Sequence, residues 1–313
     1  MKDRRMISTR ALQRAAWIAT AAWIAVLASF AGYYVLDRYL HANEKSPAEL
    51  QIENLEETVH QDPRNPDARI MLAESYLRSG RYEEALAQVE QVSSLYPDHP
   101  NALLIAGICH VQLEQPEAAL HPLHRFVEMR QDQPMAHSDM ILEAAYYYLG
   151  ESYLKLERAA DAVPVLEAAL LIRPTDADAL YQAGLAYQAT DQPQTALERY
   201  HAAVRLVPDF TEVYQGMASI YSDLDQPGYE NYALGMVAFS RQEYRQAMRH
   251  LEKAVEVLPN FSPAFLGAGL VYERLGQLEE ALPPLRRALE LNPQDFATQQ
   301  ALGRVEEALS QEN

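Results

Sequence analysis

The chain has 313 residues, with 44 acidic against 26 basic side chains and a formal net charge of −18. So acidic a molecule is repelled by DNA and RNA phosphates, which argues against nucleic-acid binding. Its lone cysteine, Cys109, excludes an intramolecular disulfide, a cysteine-based zinc site and a haem-attachment motif.

The charge is uneven along the chain. Residues 1–14 hold Lys2, Arg4, Arg5, Arg10 and Arg14 against Asp3 alone, leaving 21 basic and 43 acidic residues for the remainder. This basic tail precedes an uncharged run of 22 residues, 15–36. A bilayer-spanning helix needs about 20 apolar residues, so the run predicts a transmembrane anchor. Trp17 near its start and Tyr33 and Tyr34 near its end suit the two interfaces; Trp23 lies too deep for that role. Only Arg38 and Lys45 follow the run closely. Basic flanks stay in the cytoplasm, which puts the N-terminus inside and residues 37–313 across the membrane. The competing reading is a cleaved signal peptide, with Ser29-Phe30-Ala31 as a small-x-small cleavage site. Continuation of the apolar run to Leu36 favours the anchor. Residues 37–46 read as a linker. Residues 47–62 read as a lone helix that stops at Pro63, since proline lacks the amide donor and disfavours helix in the residue before it.

From residue 66 a 34-residue period governs the chain. Leu149-Gly150-x-x-Tyr153, Ala162 and Pro174 recur as Ala183-Gly184-x-x-Tyr187, Ala196 and Pro208. The same spacing joins Leu72-Ala73-x-x-Tyr76, Ala85 and Pro97, and again Ala268-Gly269-x-x-Tyr272, Ala281 and Pro293. This pattern resembles the tetratricopeptide-repeat family, with a Leu-Gly-x-x-Tyr first helix, an Ala in the second helix and a terminal Pro. Full units fall at 66–99, 100–133, 143–176, 177–210, 228–261 and 262–295. The resemblance implies an all-α fold, a solenoid of helical hairpins wound into a superhelix. Small residues let backbones approach, and tyrosines Tyr76, Tyr153, Tyr187 and Tyr272 fill the space between hairpins.

Departures from the pattern carry their own expectations. Unit 100–133 has His110 in place of tyrosine and Gln131 in place of proline, and nine extra residues, Pro134 to Leu142, follow it. Pro134 is expected to stop the second helix three positions late. Ser138 is expected to cap a lengthened first helix that runs to about Leu156. Pro122, Pro164, Pro283 and Pro284 are expected to bend second helices or delay their starts. Segment 211–227 begins as a first helix, with Tyr214, Met217, Ala218 and Tyr221 in register, but a new first helix starts at Gly228 and no second helix is evident. The segment 211–224 therefore reads as a cap closing a first array, 47–224. A second array, 228–310, ends in a cap at 296–310.

The resemblance also implies where partners bind. The concave face is lined by the second, fifth, ninth and twelfth positions of each first helix. Here these positions hold Ile70, Leu77, Leu104, Ile108, Val111, Tyr147, Leu154, Tyr181 and Leu185, then Tyr229, Tyr232, Met236, Phe239, Leu266 and Leu270. Asp67, Glu74, Glu151 and Asp178 are scattered among them. An exposed apolar stripe of that length marks a binding surface; tight superhelical winding that buries it is the alternative. Family members that clamp a C-terminal carboxylate use Lys, Asn and Arg here, so the apolar and acidic set points instead to a protein or peptide segment, extended or helical, with apolar anchors and some basic residues. The candidate contacts are Ile70, Leu77, Leu104, Ile108, Tyr147, Leu154, Tyr181, Leu185, Tyr232 and Met236.

No catalytic motif stands out. His121 and His124 share a helix face, with His110 and His137 nearby in sequence, but metal ligation needs further ligands in geometry. Surface histidines are the plainer reading, and neither a metal nor a cofactor is expected. The repeats occupy residues 47–310 and leave no stretch of domain size for an active site or a small-molecule substrate. The expected function is thus a non-enzymatic membrane-anchored scaffold in assembly or maturation of an envelope complex. Four lysines against 22 arginines fit a GC-rich bacterial genome and an inner-membrane location. The alternatives are an organelle-surface targeting receptor and a regulatory subunit of a membrane enzyme complex.

Overall fold

The computed structural model describes residues 23–34 and 45–312, and every regular element among them is helical. These residues fall into two compact units, one up to Ala68 and one from Arg69 onward.

In the first unit, residues 23–34 form an exposed helix, α1. The rest of the expected anchor, the basic tail and most of the linker lie outside the described residues. No described helix is long and apolar enough to cross a membrane. Helix α2, Pro47–Gln61, starts at a reciprocal cap. The Glu49 amide donates to Ser46 Oγ at 3.2 Å, and the Ser46 amide donates to the Glu49 carboxylate at 2.7 Å. Two amides that the helix itself cannot satisfy are thereby paired.

Helix α3, Pro66–Arg78, leads into the second unit and is followed by α4, Tyr82–Ser93. Three hairpins succeed it: α5, Pro100–Gln112, with α6, Pro116–Arg130; α7, Met140–Lys155, with α8, Ala159–Ile172; and α9, Ala177–Ala189, with α10, Pro193–Leu206. Then come α11, Thr211–Asp223, α12, Pro227–Ser240, and α13, Tyr244–Val257. Helices α14, Ser262–Arg274, α15, Leu278–Leu291, and α16, Phe296–Glu312, complete the chain. Prolines at the first turns of α5, α6, α10 and α12 suit positions whose amide has no helical acceptor. Close approach is built in: a methyl group on Gly150 of α7 would fall 2.4 Å from the Leu166 side chain of α8.

One turn recurs throughout. Seven residues at or beside the break between paired helices adopt positive φ: Gly80, Glu114, Glu157, Asp191, Asp225, Gln242 and Gly276. The amide after each reverses the chain onto the preceding helix, as Gln115 does to the His110 carbonyl at 2.8 Å and Gln192 to that of Tyr187 at 2.9 Å. Asp225 belongs to this series, and the Gln226 amide meets the Tyr221 carbonyl at 2.9 Å. Helices α11 and α12 are therefore joined as an ordinary hairpin.

This corrects the expectation that 211–224 stands as a lone cap with no second helix. Helix α12 is that second helix, and it is also the first helix of the pair it forms with α13. It buries two faces. Tyr232 meets Tyr214 of α11 edge-on at 6.1 Å between ring centroids, and Tyr229 stacks on Tyr221 at 5.2 Å. On its other side Gly235 approaches Leu251 of α13. One buried core runs from Leu103 to Val271 and includes Val213, Met217, Ala233 and Met236.

The insert also differs from expectation. Helix α6 ends at Arg130, ahead of Pro134, and a single 3-10 turn, Ala136–Ser138, follows. The cap of α7 is Asp139 rather than Ser138: its carboxylate accepts the amides of Ile141 at 3.0 Å and Leu142 at 3.2 Å. An ionised acceptor at a helix N-terminus satisfies two amides and complements the dipole. Pro122, Pro164, Pro283 and Pro284 lie inside α6, α8 and α15, whose starts they do not delay. Arg173 ties three helices: it donates to Glu143 of α7 at 3.1 Å and pairs with Asp176, whose carboxylate caps α9 through the amides of Asp178 and Ala179.

Candidate functional site

First helices of successive hairpins lie side by side, α5 beside α7, α7 beside α9 and α9 beside α11. Leu104, Ile108, Tyr147, Leu154, Tyr181 and Leu185 are all half-buried along these first helices, reachable from solvent but backed by protein, and Leu77 on α3 is half-buried too. Three expected contacts are not available. Ile70 is 5 % exposed, Tyr232 7 % and Met236 6 %. Tyr232 is covered because α11 packs on the face of α12 that a first helix would present to the groove, with Phe261 against its ring at 5.0 Å. The Met236 sulfur lies against Gly267 of α14. The double duty of α12 thus removes its groove positions from solvent.

The best-formed stretch spans α7, α9 and α11. Tyr181 packs on Phe210 at 5.3 Å and Tyr200 at 6.2 Å, and Tyr147 meets Tyr148 edge-on at 5.3 Å. Burial, and then the Glu151 and Asp178 carboxylates, push the Tyr147 phenol up to about 12. Burial and then Glu212 also raise the Tyr181 phenol above its ordinary value. The charge on Glu151 is answered by Lys155 at 3.1 Å, which also pairs with Glu114 at 3.0 Å. At α11 the row turns polar: its register positions are Gln215 and Ser219, and Gln188 of α9 donates to Ser219 at 3.4 Å.

Phe210 and Glu212 were not legible as site residues. Phe210 lies in the turn before α11, and only the recurrence of a tyrosine followed 31 residues later by an acid, Tyr147 with Asp178 and Tyr181 with Glu212, could have singled out Glu212. The tyrosines expected between hairpins divide. Tyr76 and Tyr153 are buried, but Tyr187 and Tyr272 are half-buried. Tyr187 has the Arg199 guanidinium over its ring at 5.7 Å, and Arg199 in turn grips Glu167 at 2.8 and 3.0 Å.

His124 Nε2 lies 2.5 Å from the Tyr153 hydroxyl, which donates to it when the ring carries its proton on Nδ1. His201 meets Tyr221 in the same way at 3.1 Å, 77 residues further on. Among the described residues no group of three or more His, Cys, Asp or Glu side chains is placed to hold a metal ion. Cys109 is fully buried, and burial pushes its thiol up to about 12, so thiolate chemistry is suppressed there.

Comparison with known proteins agrees with this architecture. Residues 143–176, 178–209 and 232–296 match tetratricopeptide-repeat families, and residues 51–126 match anaphase-promoting complex, cyclosome, subunit 3. The chain carries tetratricopeptide repeats in an all-α solenoid. It is 22 % identical over 227 residues to the protein CTR9 homolog of Arabidopsis thaliana, a match covering 72 % of this chain and 19 % of that protein. It is 23 % identical over 253 residues to the mitochondrial import receptor subunit TOM70 of Rattus norvegicus, covering 77 % of this chain and 37 % of that protein. The chain therefore spans well under half the length of these relatives. Among solved structures, the MamA RS-1 ArsTM double mutant superposes with a TM-score of 0.50 at 24 % identity, covering 57 % of this chain and 95 % of that one.

Proposed function

We propose that this chain is a membrane-anchored scaffold that holds a partner protein segment along the first helices α5, α7, α9 and α11. The observation that carries this reading is the row of half-buried apolar side chains on the adjacent helices α5, α7 and α9, centred on Tyr147, Leu154, Tyr181 and Leu185. Side chains already backed by protein are cheap to desolvate further, since a partner need cover only one face of each. The anchor rests on the sequence run 15–36, and its basic flank orients the repeats away from the cytoplasm. Assembly or maturation of an envelope complex is the role this arrangement suits.

Substitution tests the groove. Tyr147→Ala with Leu185→Ala in the full chain abolishes partner capture from native membranes while the thermal melt shifts little. Equal loss of stability and capture, as in a core substitution such as Leu166→Ala, makes the row mere packing. The second reading, a receptor on an organelle surface, is favoured by the import-receptor relative. Topology separates the two: external protease digests the repeats of intact spheroplasts on the first reading and spares them on the second.

A further inference from the structure

The inner helices of the middle stretch are electrically one-sided. Between Ala177 and Ser240 the only lysines or arginines are Arg199 and Arg205, both on the second helix α10. Helices α9, α11 and α12 carry Asp178, Glu212, Asp223 and Glu230 and no cation. Arg199 is already committed to Glu167. Asp178 and Glu212 are exposed, and among the described residues neither takes part in an ion pair.

These two acids are placed alike. Asp178 is the second residue of α9, which packs beside α7 and its Tyr147; Glu212 is the second residue of α11, which packs beside α9 and its Tyr181. The pairs are related by a shift of 34 residues, so one arrangement is repeated on neighbouring hairpins. Each offers a half-buried aromatic ring and an unanswered carboxylate. That combination suits a lysine or arginine, whose stem lies on the ring and whose charge meets the acid. Packed helix axes stand about 8–10 Å apart, and a chain in the polyproline II conformation advances about 3.1 Å per residue and returns every third side chain to the same face, so the two places are about three residues apart along a ligand extended in that way.

Building on the groove reading above, we propose that the partner segment is extended and carries two basic side chains three residues apart, one seated at Tyr147 and Asp178 and the other at Tyr181 and Glu212. The apolar groove positions hold the residues between and beside them. The overall negative charge attracts basic peptides without register, but only these two acids impose a spacing.

The test is selection of a random twelve-residue peptide library on the full chain in mild detergent. The expected pool is enriched in Lys or Arg at two positions three apart. Its members bind Asp178→Asn with Glu212→Gln about tenfold more weakly, as loss of two charge contacts implies, and they bind Glu198→Gln with Glu256→Gln, exposed acids on second helices, as they bind the unaltered chain. A pool of neutral apolar peptides that still needs Tyr147 and Leu185 overturns this inference and leaves the groove reading standing. A basic pool with no fixed spacing, or one equally weakened by both acid pairs, overturns it too. A pool indifferent to Tyr147 and Leu185 overturns both.

Discussion

The Tyr200 ring and hydroxyl rest directly on the backbone of Gly216: a methyl group at that position would come within 2.7 Å of both. Tyr200 is fully buried on α10, where the same register in other second helices is leucine at 123, 166, 251 and 285. Its hydroxyl donates to Gln188 at 3.1 Å, and Gly184 closes the opposite side of the ring. With a glycine against each edge the ring has nowhere to move. Gly216→Ala is expected to destabilise the array by about 1–3 kcal/mol, the usual cost of overpacking. In a Tyr200→Leu background the same change should cost much less, and thermal melts of the four-member cycle measure the difference.

Arg173 holds two buried carboxylates. Glu143 is 2 % exposed and Asp176 7 %, and burial raises the Glu143 carboxyl against the opposing pull of Arg173. Arg173→Ala strands both charges. Breaking a fully buried pair costs about 3–5 kcal/mol, and because the Arg173 side chain is partly solvated the expected loss is nearer 2 kcal/mol. Glu143→Gln should cost less than Arg173→Ala, since it leaves one carboxylate for the same guanidinium. Chemical denaturation of the two variants checks the order.

Burial, as the largest cause, holds His124, His201 and His250 below the usual histidine range. Facing His124 are Glu128, Asp161, Arg158 and His121; Arg205 faces His201. A depressed folded-state histidine leaves stability intact while both states are neutral. As pH falls through the unfolded value of about 6.5, the unfolded chain takes up protons first and stability drops. The melting temperature should therefore fall between pH 7 and pH 5. His124→Gln with His201→Gln should flatten that slope, and an unchanged slope would place the titration elsewhere.

The repeat period, the helix pairs other than α11 with α12, and the register that puts Tyr147 and Tyr181 on neighbouring first helices were legible in the sequence, because each rests on a local pattern of small, aromatic and terminating residues. The role of α12 was not. Read as a second helix after α11 it lacks the usual alanine, having Glu230 nineteen residues after Thr211, whereas read as a first helix it has Gly235 in register. Its sequence declares one role and its packing adds another. The turn chemistry was equally silent, since Glu114, Glu157, Asp191, Asp225 and Gln242 take positive φ without glycine. Asp139 displaced Ser138 as cap because a carboxylate can accept two amides at once and Arg130 steadies it at 2.8 Å.

Site-directed photo-crosslinking in native membranes tests the central claim, that a partner lies along the first helices. The probe belongs at Gln215, an exposed residue on α11 at the register of Tyr147 and Tyr181, with Glu198 on the second helix α10 as the matched outer position. A discrete partner adduct is expected from Gln215 that disappears in Tyr147→Ala with Leu185→Ala, and none from Glu198. The same adduct from Glu198 with none from Gln215 would contradict it.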